Sequence, residues 1–377
     1  MLRYRFSRLQ WILKHGILVL LRHLLRWRVY LQPAHWPTTV NGITVVIDRC
    51  LGIGDVLMIS PALRLLLDHG PLTVVAHLPR LLDAELAWHT TKSWQEQQTT
   101  VNRLVDDGNI ILAPFTGLRG TLALLTWPGT LPPGAIVLND YDWLDTVSGA
   151  IGKVSGSHYS DPPLAAAQGL ACRLSASLPQ TVPVLRLPPL MTDTARLATM
   201  VPISPFIALA PWAAAATRRW RLSHWAQLID LLVPAHPNLH LVLLGSNEER
   251  IHGEEILSQA RAGHTVINLM GRLTLAETAA TLNHARLLVC CDSGLMHIAL
   301  GLDTPIVALF GSTDPQTRLA GNSTVAVADL TLCPRQLAPC YVGLQRDPAC
   351  PSHVECLSLL QPERIAAQVS ELIKIKT

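Results

Sequence analysis

Residues able to do chemistry are concentrated in two short segments, each placed directly after an apolar run. In CDSGLMHIALGLDTPIVALFGSTDP, residues 291–315, Asp292, Ser293 and His297 lie between the runs RLLVC and PIVALF. In DRCLGIGDVLMISPAL, residues 48–63, Asp55 follows two glycines near the predicted start of a helix. A carboxylate at such a place can cap the helix or take a proton from a substrate hydroxyl. The spacing leaves both roles of Asp55 open.

Both segments follow predicted strands in a βα alternation that occurs twice along the chain. The first set of strands is ITVVID, LTVVAH, IILA and AIVLND, at 43–48, 72–77, 110–113 and 135–140; the second is FIALA, LHLVLLG, TVINL, RLLVC and PIVALF, at 206–210, 239–245, 265–269, 286–290 and 305–310. Helix-sized segments separate the strands, as in doubly wound parallel sheets. Glu277, three residues after Thr274, is typical of a capping box. Ligands of such sheets bind beyond the carboxyl ends of the strands.

The chain is predicted to be an α/β protein with two Rossmann-like, doubly wound domains that face a central cleft. Its 377 residues exceed what a single core usually holds, and 49% hydrophobic with 15% charged residues is typical of globular proteins. The predicted limits are 1–37 for an N-terminal amphipathic helix, 38–190 for the first domain, 191–205 for a proline-rich linker, 206–360 for the second domain and 361–377 for a C-terminal helix. A net charge of only +3 argues against a nucleic-acid partner.

The glycine turn of the first half departs from a dinucleotide-binding fingerprint. Gly52 and Gly54 fit its first two glycines, but Leu57 stands at the third position. No obvious ribose-binding acid follows the strand LTVVAH. The turn therefore argues against a nicotinamide-dependent dehydrogenase.

The N-terminal segment combines positive charge with a helical apolar stripe. Seven cations and no acid precede Asp48, and apolar residues recur every three or four positions from Leu2 to Leu24. The uninterrupted apolar run GILVLL is far shorter than the roughly 20 residues that a spanning helix needs. This pattern favours an interfacial helix on an anionic membrane surface at the cytoplasmic face of the inner membrane, with an ordinary packed helix as the alternative.

Three motifs together resemble glycosyltransferase family 9, the ADP-heptose:lipopolysaccharide heptosyltransferases. They are RCLGIGDVLMISPAL, APWAAAATRRWRLSHWAQL and the long segment from INLMGRL to FGSTDP, and they span residues from about 43 to 320. The resemblance implies a GT-B fold, an acceptor-binding first domain and a donor-binding second domain. It also implies inverting, metal-independent sugar transfer from a nucleotide sugar to a lipid-linked glycan, with no cofactor.

The resemblance also implies a role for individual residues. Asp55 would be the catalytic base, and Arg119 is a plausible anion contact on the acceptor side. The donor would contact Thr217, Arg218, Glu249, Met270, Gly271, Asp292, Ser293, Gly294, Leu295 and His297. Amides at a helix start attract phosphate, so Ser293, Gly294 and Leu295 are predicted to hold the diphosphate. For His297, packing between the sheets stays an alternative, as helix capping does for Asp292.

One position departs from the family pattern. Arg218 stands where family members commonly have a lysine, and a planar guanidinium places its charge differently from an ammonium group. The departure keeps two alternatives open: a GT-B transferase that uses another nucleotide sugar, and a GT-B binding or scaffold protein without turnover. Trp220 and Trp225 are interpreted as core residues of the following helix.

Two further patterns are weak signals for metal. Asp140, Tyr141 and Asp142 form a D-x-D triplet, which often occurs by chance. Four cysteines and a histidine lie near the C-terminus, with gaps that match no tight zinc knuckle: Cys333, Cys340, Cys350, His353 and Cys356. Reduced thiols are the preferred interpretation, with a structural metal second.

Overall fold

The structure is a computed structural model, and the findings below refer to the residues that it describes. These are residues 20–21, 24, 41–47, 52–54, 56–57, 70–78, 86–106, 109–113, 136–137, 187, 194–313, 315, 318, 325–328 and 355–375. The chain divides into two compact units. The first comprises Met1–Gly52, Ile59–Val154 and Leu164–Val182, and the second comprises Ile53–Met58, Ser155–Pro163 and Pro183–Thr377. The predicted domain limits stay predictions.

The first unit contains a parallel sheet with the strand order β3-β2-β1-β4-β5. The strands are β1 (Gly42–Val46), β2 (Leu72–Ala76), β3 (Ala87–Thr90), β4 (Asn109–Ala113) and β5 (Ile136–Val137), and helix α1 (Trp94–Asp106) connects β3 to β4. Ile43 pairs with Leu72 on one side and with Ile110 on the other. The four strands predicted for this half are confirmed. The edge strand β3 was not predicted, because its partly exposed sequence AWHT lacks an apolar run.

The second unit repeats this order with one more strand, β11-β10-β9-β6-β7-β8, and all pairs of neighbours are parallel. Its strands are β6 (Phe206–Ala210), β7 (His240–Leu243), β8 (Ile267–Asn268), β9 (Leu287–Cys291), β10 (Ile306–Phe310) and β11 (Val325–Ala328). Its helices are α2 (Thr194–Ala198), α3 (Leu222–Ala235), α4 (Arg250–Gln259), α5 (Leu275–His284), α6 (Gly294–Gly301), α7 (Glu355–Ser358) and α8 (Pro362–Ile375). The five predicted strands are confirmed. In both sheets the order reverses at the first strand, the topology of a doubly wound fold.

The core of the second unit explains the long apolar runs of its sequence. Every residue of β6, β9 and β10 is buried, as expected for parallel strands covered on both faces. Trp220 and Trp225 are also buried and pack edge to face with centroids 5.2 Å apart. The Trp220 Nε1 group donates to the Leu360 carbonyl at 3.0 Å. Their prediction as core residues is therefore confirmed.

Helix α5 begins at the predicted capping box. The Thr274 hydroxyl accepts from the Glu277 amide at 3.2 Å, and the Glu277 carboxylate accepts from the Thr274 amide at 2.7 Å. Glu277 also accepts from the Arg196 guanidinium, which lies on α2. This pair ties the segment that enters the second unit to helix α5.

The predicted N-terminal amphipathic helix lies almost wholly outside the described residues. Leu20, Leu21 and Leu24 are helical, and the Leu20 and Leu24 side chains are exposed. Among the helices that the structure describes, none has the length and apolar content required to cross a bilayer.

Candidate functional site

Polar residues of the second unit meet at the carboxyl ends of neighbouring strands. Arg218 follows β6, Asp292 follows β9, and Arg318 follows β10. Since β9 lies between β6 and β10 in the sheet, the three loops start at one edge. The strand order reverses between β6 and β9, which is where doubly wound sheets place their ligands.

Asp292 is the electrostatic centre of this edge. Its side chain is only 2% exposed, and its Oδ2 atom lies 3.3 Å from an Arg218 guanidinium nitrogen and 3.9 Å from Arg318 Nε. Burial alone would raise the pKa of Asp292, but the positive charges of Arg218 and Arg318 outweigh it and hold that pKa below its ordinary value. Asp292 is therefore an ionised carboxylate at neutral pH. The residue at the N-cap of α6 is Ser293.

Hydroxyl groups accompany these charges in each of the three loops. In the loop after β6, Thr217 precedes Arg218 and is 2% exposed, and in the loop after β9, Ser293 follows Asp292. In the loop after β10, the Thr313 hydroxyl contributes to lowering the pKa of Asp292. The buried Oγ1 of Thr217 and Oγ of Ser293 have no hydrogen-bond partner in the described part of the chain. We call Thr217, Arg218, Asp292, Ser293, Thr313 and Arg318 the Asp292 cluster. Its buried hydroxyls and cations are suited to an anionic ligand.

His297 lies on α6 and is buried. Burial lowers the pKa of His297 to about 4, and the Asp292 charge, which acts in the opposite direction, has the smaller effect. The imidazole is therefore neutral at physiological pH. Its ring packs against Gly54, where an added Cβ would lie 2.6 Å from His297 Cδ2. The His297 ring thus packs against Gly54, while its packing between the sheets and its donor contact both stay predictions.

The start of helix α6 closes tightly on the glycine turn of the sequence motif at 52–54. A Cβ added at Gly294 would lie 3.3 Å from the Ile53 Cβ, so little space remains there for a side chain. Ile53 and Gly54 group with the second unit. Leu295 is partly buried in the first turn of α6. A side chain at Gly54 would overlap the His297 ring, whereas one at Gly294 would need only a small shift of Ile53.

The loops after β7 and β8 hold the remaining predicted donor residues. Glu249 Oε2 accepts from the Ser246 amide at 2.9 Å, which orders the β7 loop. The Gly271 amide donates to the Gly245 carbonyl at 3.0 Å, and Gly271 has a φ of +72°, a conformation that favours glycine. The Met270 side chain is fully buried in the core. Glu249 therefore lies in the loop after β7 and Gly271 in the loop after β8, whereas the Met270 side chain packs in the core of the second unit.

A stack of side chains borders the loop after β6. The Trp212 and His252 rings are parallel, with centroids 3.6 Å apart, and the Arg219 guanidinium carbon lies 4.1 Å from the Trp212 centroid. Arg219 also donates to the carbonyls of Ala213 and Ala214, each at 2.7 Å. The adjacent arginines thus differ: Arg219 fixes the loop, and Arg218 faces Asp292.

Several predicted residues cannot be placed. Asp55, Arg119, the Asp140–Asp142 triplet, Cys333, Cys340, Cys350 and His353 lie outside the described residues. Cys356 is buried in helix α7 and is not part of a disulfide among the described residues. The described residues contain no group of three or more His, Cys, Asp or Glu side chains arranged for a metal ion. Cys290 and Cys291 pack as predicted in β9, where burial raises the pKa of Cys291 to about 12.

Sequence reasoning missed some members of the site. Arg318 and Thr313 were not singled out, although both follow the apolar run of β10 as Asp292 follows β9. Ser312 donates its hydroxyl hydrogen to the Thr217 carbonyl at 3.1 Å and joins the loops after β6 and β10. The sequence feature that could have identified these residues is their position after the predicted strand PIVALF.

Comparison with known proteins gives one family. Residues 173–340 match the sequence model of a family described as glycosyltransferase family 9 (heptosyltransferase). Lipooligosaccharide heptosyltransferase 2 of Haemophilus influenzae is 33% identical over 115 residues, which are 30% of this chain and 33% of that protein. Lipopolysaccharide heptosyltransferase 1 of Pseudomonas aeruginosa is 29% identical over 192 residues, 48% of this chain and 52% of that protein. The chain thus spans about a third to a half of the length of these curated relatives.

Solved structures extend the likeness to most of the chain. The E. coli ADP-heptose lps heptosyltransferase II aligns with a TM-score of 0.60 and 17% identity, covering 89% of this chain and 99% of that one. The glycosyl transferase family 9 protein from Veillonella parvula aligns with a TM-score of 0.62 and 15% identity, covering 89% and 98%. E. coli heptosyltransferase WaaC with ADP-2-deoxy-2-fluoro heptose gives 0.53 and 18%, covering 87% and 99%. At these identities the likeness concerns the fold, and the predicted GT-B fold with two Rossmann-like units is confirmed.

Proposed function

We propose, because residues 173–340 match the glycosyltransferase family 9 model, that the chain transfers a heptose or a related sugar from an ADP-activated donor to a lipopolysaccharide core acceptor. The observation that carries this proposal is the Asp292 cluster. Arg218 lies 3.3 Å from the buried Asp292 carboxylate, and the Thr217 and Ser293 hydroxyls beside them have no partner among the described residues. Such a group of cations and hydroxyls at a helix start suits a diphosphate.

The proposed reaction is a direct displacement with inversion. The acceptor hydroxyl oxygen forms a bond to the anomeric carbon as the bond from that carbon to the donor phosphate oxygen breaks. The hydroxyl proton passes to a carboxylate, for which we propose Asp55, and the nucleoside diphosphate leaves with the bonding electrons. Positive charge placed at the leaving group stabilises this transition state. The scheme uses no metal and no cofactor.

The donor side of the site follows from the second unit. The amides of Ser293, Gly294 and Leu295 start helix α6 and would face the diphosphate. Arg218 would neutralise it, and the ionised Asp292 would accept hydrogen bonds from donor-sugar hydroxyls. Because His297 is uncharged near pH 7, it would contribute a neutral contact.

The nucleoside is proposed to lie along the next loops of the same sheet edge. Glu249, Gly271 and the Met270 backbone follow β7 and β8, which are the strands next to β6. The ordered β7 loop, held by the Ser246–Glu249 hydrogen bond, supports this placement. On the acceptor side, Arg119 stays a proposed anion contact.

The decisive experiment is the Asp55→Asn variant of the full chain. Loss of a general base typically lowers the rate by about 10² to 10⁴, and the affinity for ADP should not change. Transfer to a deacylated core acceptor measures the first quantity, and calorimetric titration with ADP measures the second. Asp230→Asn is the matched control. Asp230 accepts from the Ala262 amide, which follows the C-terminal end of α4, whereas the proposed nucleoside contact Glu249 precedes the N-terminal end of that helix. Near-normal turnover of Asp55→Asn would mean that the Asp55 carboxylate is not the catalytic base and acts as a helix cap.

The nucleotide is tested separately by titrating ADP and UDP. Tighter binding of UDP would mean that the chain uses another nucleotide sugar. Strong ADP binding without transfer would favour a non-catalytic GT-B protein, for which the arginine at 218 is the sequence feature.

We also propose that the chain binds the anionic cytoplasmic face of the inner membrane through residues 1–36. The support is the sequence alone: seven cations precede the first acid, on a segment with a helical apolar stripe. Deleting residues 1–36 should abolish sedimentation with phosphatidylglycerol vesicles and leave neutral vesicles unaffected. Unchanged sedimentation would remove the membrane role.

A further inference from the structure

Gln97 is a buried polar residue of the first unit that the proposed reaction does not use. It lies near the start of α1, and its side chain is 1% exposed. One turn further along the same face of the helix, Val101 packs with Val75 of β2. Because α1 connects two parallel strands, its start lies at their carboxyl ends. Gln97 therefore reaches the sheet where its strands end.

The Gln97 amide group spans the ends of two neighbouring strands. Its Nε2 atom donates to the Ile47 carbonyl at 2.8 Å and, at a longer distance of 3.4 Å, to the Val75 carbonyl. The Ile47 amide also donates to the Val75 carbonyl, at 2.9 Å. Ile47 is thus held through both its amide and its carbonyl at the point where the chain leaves β1.

The start of α1 is itself fixed by capping. The Ser93 hydroxyl accepts from the Glu96 amide at 3.1 Å, and the Glu96 carboxylate accepts from the Lys92 amide at 2.7 Å. The Gln97 amide donates to the Ser93 carbonyl at 3.1 Å. The side chain that holds Ile47 therefore extends from a well-anchored backbone.

The second polar atom of the Gln97 side chain brings no stability. Its Oε1 atom is buried and has no hydrogen-bond partner in the described part of the chain. An unpaired buried acceptor lowers the free energy of unfolding. Methionine has a similar length and volume and would fill the same space without an unpaired oxygen. The Nε2 hydrogen bond to Ile47 is therefore the feature that favours glutamine at this position.

The chain that leaves Ile47 leads to the proposed base. Asp55 is eight residues further along the sequence, and residues 48–51 separate Ile47 from Gly52, the next residue that the structure describes. Further on, Gly54 packs against the His297 ring. Because the segment is short, the position of the Ile47 carbonyl limits where the Asp55 carboxylate can lie.

We propose that Gln97 is a positioning residue for the transfer reaction: its Nε2 hydrogen bond fixes the Ile47 carbonyl, and so sets the start of the segment that carries Asp55. This inference rests on the proposed function for the role of Asp55. Gln97 acts through the backbone, so its loss should change the rate of transfer and leave the affinity for the nucleotide unchanged. A displacement of about 1 Å at a reacting group can lower a rate about 10²-fold.

The test compares Gln97→Met with the wild-type full chain. We expect kcat for transfer to a deacylated core acceptor to fall about tenfold or more, and the ADP affinity measured by calorimetry to stay the same. The thermal midpoint should shift by no more than about 4 °C, because removal of the unpaired oxygen offsets the lost hydrogen bond. Gln98→Met is the matched control, since the Gln98 Nε2 atom donates to Asn102 on the same helix at 3.1 Å. Its kcat should equal that of wild type.

A double-mutant cycle tests whether Gln97 acts through Asp55. In the Asp55→Asn background, Gln97→Met should lower kcat by less than about twofold, because the group that it positions is gone. Hydrogen exchange adds a measurement that needs no activity. The Ile47 amide should exchange about three- to tenfold faster in Gln97→Met than in wild type or in Gln98→Met.

The outcomes separate this inference from the proposed function. A normal kcat for Gln97→Met, or fully additive losses in the double variant, overturns the inference and leaves the transferase proposal intact. Weaker ADP binding or a much lower thermal midpoint in Gln97→Met would mean a purely structural glutamine and also overturns it. If the wild-type chain transfers no sugar, the proposed function fails. Faster exchange at Ile47 would then still support the hold of Gln97 on the end of β1, and unchanged exchange would overturn it.

Discussion

Replacing Asp292 with asparagine should destabilise the second unit and at the same time tighten the binding of anions. The carboxylate Oδ2 lies 3.3 Å from Arg218 and 3.9 Å from Arg318, and all three side chains are less than one fifth exposed. With an effective dielectric constant of about 20, the two attractions are worth about 5 and about 4 kcal/mol. The desolvation of the buried carboxylate offsets much of this sum. Breaking a buried ion pair by removing one partner usually costs about 3–5 kcal/mol.

We therefore expect the free energy of unfolding to fall by about 2–4 kcal/mol in Asp292→Asn, measured by urea titration at pH 7. Pyrophosphate should bind more tightly, because the two arginines lose their internal anion and a negative charge near the ligand is removed. The pKa of Asp292 is depressed in the folded state, so its stabilisation is present above its ordinary pKa and is lost as pH falls through the lower, folded-state value. The difference between wild type and variant should accordingly shrink in acid.

Asp230→Asn is the matched control for this experiment. Asp230 accepts from the Ala262 amide at 2.9 Å and faces Arg261, so its replacement should lower stability without changing pyrophosphate affinity. An Asp292→Asn variant as stable as wild type at pH 7, or one that binds pyrophosphate more weakly, would contradict this prediction.

Three further predictions concern the surroundings of the site. Gly54→Ala places a Cβ 2.6 Å from the buried His297 ring, whereas Gly294→Ala meets Ile53 at 3.3 Å; urea titrations should give a loss of about 1–3 kcal/mol for the first and a smaller loss for the second. Hydrogen bonds from Arg196 and from the Thr274 amide lower the pKa of Glu277 from 4.5 to about 2. Glu277→Gln should therefore lower the free energy of unfolding by about 1–2 kcal/mol at pH 7, a figure reduced for solvent screening because Arg196 is 45% exposed. That cost should vanish between pH 4.5 and 2, and a constant difference down to pH 2 would contradict it. Trp212→Leu removes the His252 stack and the Arg219 contact, and should lower the thermal midpoint by the equivalent of about 1 kcal/mol; an unchanged midpoint would mean that the stack contributes nothing.

The sequence was sufficient for features that depend on neighbouring residues. The apolar runs of the second half predicted β6 to β10, because buried parallel strands need continuous hydrophobic sequence. Thr274 and Glu277 predicted the capping box, since its hydrogen bonds join residues three apart. The same logic placed Asp292 and Ser293 at the carboxyl end of a strand. Strand β3 was missed because an edge strand can be short and partly exposed.

Only the tertiary structure determined which of these residues meet. Arg218, Asp292 and Arg318 come from three loops, and the parallel order of β6, β9 and β10 brings them to one carboxylate oxygen. Gly54 and His297 are far apart in the chain, yet the ring fills the space that a Cβ would need. Local sequence patterns specify helices, turns and strand ends, whereas contacts between loops follow from strand order, which those patterns do not encode.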